Sequence, residues 1–111
     1  MTGIEVLRKM KELLSTSDKW IQGDYEKIVD GESCYCIYGA LYRAAGYDGN
    51  LTDVGAPAYY FASAGYLSAI SLLREVVGSQ HLDVWNDCPG RTYEDVMNVL
   101  TVAIGIYNEG N

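Results

Sequence analysis

The chain has little of what most enzyme chemistry draws on: one histidine, three cysteines and eight basic side chains in 111 residues. With His81 as the single imidazole, any histidine-dependent mechanism stands or falls on that residue. Three cysteines, Cys34, Cys36 and Cys88, leave at least one unpaired, which points to a reducing compartment and free, buried thiols rather than a disulfide framework. Eight basic against fifteen acidic side chains give a net charge of −7, which argues against nucleic-acid backbones and anionic membranes as partners. The uncharged run Ala58 to Leu73 is interrupted by Ser63, Gly65, Ser68 and Ser71. It falls short of the roughly 20 apolar residues of a membrane span. Met1 to Glu5 has no basic segment followed by an apolar one, so no signal peptide is expected and the expected location is the cytoplasm. A Gly-rich phosphate loop and a dinucleotide fingerprint are both missing.

What is present reads as helix. Thr2 and Glu5 form a capping-box pattern, followed by Ile4, Leu7, Met10 and Leu14 at helical spacing. Trp20 then stands as an apolar anchor before Gly23, and the polar stretch to Glu32 reads as a loop. Ser33 is the expected N-cap of a second helix, with Ile37, Ala40, Leu41 and Ala44 on one face and Tyr35, Tyr38 and Tyr42 on another. That helix belongs in the middle of a bundle, where Gly39 admits a close neighbour and Gly46 ends it. Residues 47–56 read as a loop, and Pro57 suits the first turn of a third helix running to Gly78. Thr92 and Asp95 form a second capping-box pattern opening a final helix with Val96, Leu100, Ala103 and Tyr107 on its buried stripe. The expected fold is all-α: one compact domain over residues 1–111 with four main helices and short helical turns near Trp20 and Leu82.

The elements Trp20-x-Gln22-Gly23, Cys36-Ile37-Tyr38-Gly39-Ala40-Leu41 and Trp85-Asn86-Asp87 with Arg91-Thr92 and Val96 span nearly the whole chain. In that order they resemble a family of small proteins of unknown function encoded by actinobacteria and bacteriophages. The resemblance implies an all-helical domain of phage or prophage origin and brings no activity with it.

Within Trp85–Thr92, each residue has a structural role: Trp85 as a core plug, Asn86 and Asp87 in a turn, Pro89-Gly90 as the reversal, Arg91 paired with Asp87, and Thr92 as a helix cap. The functional alternative is a cleft in which Trp20, Gln22, Trp85, Asn86, Asp87 and Arg91 bind a small polar or nucleotide-like ligand. Cys34, Cys36, His81 and Cys88 make a poor zinc set, because two helical residues two apart point roughly 200° from each other. No metal or cofactor is expected. Cys88 with His81 and Asp83 or Asp87 has the residue types of a thiol hydrolase, the third alternative. Ten tyrosines against one phenylalanine suggest a tyrosine-bearing acidic face, with Tyr38, Tyr42, Tyr59 and Tyr60 as candidates for contacting a protein partner or a second copy. The favoured expectation is a small non-enzymatic interaction protein, a phage or prophage accessory factor that binds a host protein.

Overall fold

In the structure, a computed structural model, residues 2–49, 51 and 63–109 are described. The first helix, α1 (Gly3–Leu13), starts as its capping box dictates. The Glu5 amide donates to Thr2 Oγ1 (3.2 Å) while the Thr2 amide donates to Glu5 Oε1 (3.0 Å). Its buried stripe is Gly3, Val6, Leu7 and Met10, with Ile4 only half-buried, so the face toward the core is rotated from the expected one.

The chain is not all-α. Two antiparallel strands, β1 (Glu26–Val29) and β2 (Glu32–Tyr35), occupy most of the stretch expected as a loop, with Glu26 opposite Tyr35 and Val29 opposite Glu32. Asp30 and Gly31 join them with φ of 52° and 80°, the consecutive positive values that a tight two-residue hairpin requires. Lys27, Ile28 and Val29 are all exposed, so β1 has none of the in-and-out alternation that marks a half-buried strand. Because β2 runs to Tyr35, Ser33 lies in a strand and does not cap the second helix. Cys36 does so instead, its Sγ accepting from the Gly39 amide (3.4 Å) at the start of α2 (Ile37–Ala44).

Gly39 does admit a close neighbour, but the neighbour is not a helix. A Cβ at this position would lie 1.9 Å from the Tyr25 carbonyl oxygen, so the chain leading into the hairpin rests directly on α2. The third helix, α3 (Ala64–Val77), is capped by Ser63, whose Oγ accepts from the Tyr66 amide (3.3 Å); Pro57 lies outside the described residues. It ends at Gly78, with φ 78°, where the Arg74 carbonyl accepts from the Gly78 and Ser79 amides. A short α4 (Leu82–Asp87) follows, and then α5 (Tyr93–Glu109), opened by the reciprocal Thr92–Asp95 bonds of a capping box.

Among the described residues, five helices and a hairpin therefore stand where four main helices were expected; the short turns expected near Leu82 and Trp20 correspond to α4 and to a 3₁₀ turn, Ser17–Lys19, that precedes Trp20. The core forms where α1 packs on α2, α3 and α5, around the fully buried Leu7, Leu41, Leu73, Val96 and Leu100. The small α4 rests on α2 and α3, which places Trp85 to Asp87 against the segment leading into the hairpin. Among the described residues, no helix is long and apolar enough to cross a membrane.

Candidate functional site

The Trp85–Thr92 motif straddles the end of α4, and its centre is Asn86. This residue is 0% exposed, and its amide group is saturated. Asn86 Oδ1 accepts from Trp20 Nε1 (2.7 Å) and from the Ile37 amide (3.0 Å), the first donor of α2. Asn86 Nδ2 donates to the Ile21 carbonyl (3.1 Å) and to Asp87 Oδ1 (2.9 Å). One side chain thus ties α4 to the Trp20–Ile21 segment and to the N-terminus of α2. Gln22 and Asp87 extend the same clamp. Gln22 Nε2 donates to the Asn86 and Cys88 carbonyls (2.8 and 3.2 Å), and Asp87 Oδ1 accepts from the Gly23 amide (3.0 Å).

Arg91 does not pair with Asp87, contrary to the sequence expectation. The Cys88–Gly90 turn, closed by the Arg91 amide on the Cys88 carbonyl (3.0 Å), folds Arg91 back over α4. Its Nε donates to the Trp85 carbonyl (2.8 Å), and its guanidinium lies 4.2 Å from the Trp85 ring centroid as a cation–π contact. Its carboxylate neighbour is Asp95, at 3.8 Å. Trp85 therefore packs against the core as expected, but only half-buried, with an arginine over its other face. Asn86 takes the buried position beside it.

The thiols divide in a way that the expectation of uniform burial missed. Cys34 and Cys36 are buried, but Cys88 is exposed, with Sγ against the Pro89 carbonyl (3.7 Å). Cys34 donates to the Asp18 carbonyl (3.2 Å) from a strand, and Cys36 caps a helix, so the helical-spacing argument against their sharing a metal does not apply. Among the described residues, no group of three or more His, Cys, Asp and Glu side chains could hold a metal. Burial pushes the Cys36 thiol up to about 11, the Gly39 and Tyr38 amides offsetting only part of that effect. Among the described residues, no hydrogen bond joins Cys88 to His81, and both are exposed.

A second concave region lies between α2, α3 and α4. It is a cleft of about 500 Å³, with Tyr25, Tyr38, Tyr42 and Tyr66 along it, Leu67 and Ile70 as its apolar floor, and Arg74 and Asp83 supplying opposite charges. Tyr38 and Tyr42 are one helical turn apart on α2, and Tyr66 comes from α3. Their rings stack with centroids 5.9 Å apart and planes inclined by 14° and 10°. Tyr25 meets Tyr42 at 53°. Burial, followed by the nearby Tyr25, pushes the Tyr42 phenol up to about 12 even though its hydrogen bond with Tyr66 acts in the other direction. Burial also raises Tyr25, with Cys36 and Asp83 adding to the effect. Tyr42, at 6% exposure, is part of the core, while Tyr38 is half-buried and Tyr59 and Tyr60 lie outside the described residues.

Arg74 was not among the candidates, and it differs from Arg43 and Arg91. Arg43 donates to the Tyr47 and Gly49 carbonyls and to Glu26, and Arg91 to the Trp85 carbonyl. Arg74 Nε is buried with no acceptor among the described residues. Its helical position, four residues after Ile70 and eight after Tyr66, was a readable signal that it shares their face.

These features define a small helical domain with one hairpin, a self-contained polar clamp and a tyrosine-lined cleft. The chain belongs to DUF6197, a family of unknown function whose model matches residues 1–106. No curated protein and no solved structure matches it.

Proposed function

We propose that the protein is a small non-enzymatic interaction protein, an accessory factor of phage or prophage origin that engages a host protein in the cytoplasm. The observation that carries this reading is the surface beside the clamp. There Val84 is 65% exposed, and it shares a cleft of about 550 Å³ with Trp85 and Pro89, whose charged lining is two carboxylates, Asp83 and Asp87, against one arginine, Arg91. An apolar centre with a charged rim is the anatomy of a protein contact, and the carboxylates favour a partner whose own rim is basic. The net charge of −7 would speed encounter with such a partner. The origin rests on the resemblance carried by the Trp20, Cys36 and Trp85 elements.

A ligand pocket built from Trp20, Gln22, Asn86, Asp87 and Arg91 has less support, because those polar groups bond to one another and to nearby backbone. The interaction reading is tested by affinity capture from host lysate with the wild-type protein and the Val84→Glu variant. The expected result is one discrete host protein retained by the wild type and lost by the variant, whose thermal melting is unchanged. Equal capture by both proteins, or no capture by either, overturns it.

A further inference from the structure

We propose that the tyrosine cleft is a binding site for a small aromatic anion. The ring lies along Tyr38 and the floor of Leu67 and Ile70, and a carboxylate or phosphate is held by Arg74. This site is separate from the Val84 surface and shares only Asp83 with it, so the two proposals fail independently. Three observations converge on it. The cleft, at about 500 Å³, has the size of a small-molecule pocket. Its aromatic wall is pre-formed, since Tyr42 and Tyr66 are buried and stack behind the half-buried Tyr38, whose ring is the one left to meet a ligand.

The third observation is Arg74 itself. A guanidinium carries five donors in a planar fork, and Arg74 brings its charge to the lining of the cleft. Asp83 lines the same cleft, yet Arg74 is not ion-paired with it or with any other carboxylate among the described residues. A carboxylate or phosphate oxygen entering the cleft would meet an arginine that no carboxylate among the described residues neutralises, and a guanidinium is the side chain best suited to pair with such an anion. Asp83 in turn can accept from an N–H of the ligand. An anion alone would leave the tyrosine wall unused, and a neutral ring would leave Arg74 unpaired.

The test is titration calorimetry of the full chain with two probes, indole-3-acetate for the carboxylate source and adenosine 5′-monophosphate for the phosphate source. Acetate, inorganic phosphate, indole and adenosine serve as half-probes. At least one full probe is expected to bind saturably, at least tenfold tighter than either of its halves, and which one does so identifies the anion. Arg74→Met should weaken that probe by at least tenfold and Arg74→Lys by less. Tyr38→Leu should weaken it independently, which keeps the test decisive if an Arg74 variant misfolds. No saturable binding of either probe below about 10 mM, a half-probe binding as tightly as the whole, or undiminished binding by folded Arg74→Met or Tyr38→Leu overturns the proposal.

Discussion

The clamp around Asn86 and the cleft around Arg74 are neighbours that treat buried polar groups in opposite ways. At Asn86, two acceptor and two donor contacts use the whole amide, and the side chain disappears from the surface. At Arg74, a buried Nε has no acceptor among the described residues and the side chain lines a tyrosine-rich cleft. Since an unmade buried hydrogen bond costs free energy whereas a made one returns little, the first arrangement holds the fold together and the second weakens it. The conspicuous Trp-Asn-Asp motif is thereby explained by architecture. The inconspicuous arginine is the residue that architecture does not explain.

Breaking the clamp should have the largest effect. Asn86→Ala leaves Trp20 Nε1, the Ile37 amide and the Ile21 carbonyl without their partner. Urea denaturation should show a loss of about 4 kcal/mol; a loss under about 1 kcal/mol would mean that the clamp is not what holds α4 in place.

Cys36 sits at the junction, capping α2 one residue before the Ile37 amide that Asn86 holds. Its thiol is raised in the folded state from 9.0 to about 11, so the neutral form is what the fold stabilises. That stability is present below the unfolded value and declines as pH rises from about 9 to about 11, because the unfolded chain loses its proton first. The expected alkaline loss is about 2–3 kcal/mol. In Cys36→Ser, which keeps a capping oxygen, stability measured by denaturant across this pH range should fall by less. An identical decline in both proteins would assign the effect to other groups.

The smallest effect is opposite in sign. Arg74→Met removes the orphaned donor but keeps an apolar stem of similar length, and should raise stability by about 0.5–1 kcal/mol in the same urea assay. A clear loss would show that Arg74 supports the fold after all and would erase the contrast with Asn86.

Both capping boxes were legible in the sequence because each is closed within four residues, and Thr2–Glu5 and Thr92–Asp95 form as written. The hairpin was missed because β1 faces solvent along most of its length and so carries no alternation, although Asp30-Gly31 was a local sign of it. Misplacing β2 in turn put the second helix cap at Ser33 instead of Cys36. The candidate site was half legible. Trp20, Gln22, Asn86 and Asp87 do come together, yet as mutual partners rather than as a pocket, and Arg91 turned to Trp85 because the Cys88–Gly90 turn directs it there. Tyr38 and Tyr42 share a helix face, but how exposed each is depends on Tyr25 and Tyr66, which come from other parts of the chain.

By itself the sequence determined the starts of the first and last helices, most of the apolar residues that form the core, the acidic balance and the residues of the clamp, since each follows from local spacing or simple counting. Tertiary structure alone decided which polar groups find partners. Trp20 and Asn86 are 66 residues apart, and whether a donor is satisfied depends on what folding brings within about 3 Å of it. The same long-range packing that surrounds Asn86 with partners leaves Arg74 Nε, beside the cleft, without one among the described residues.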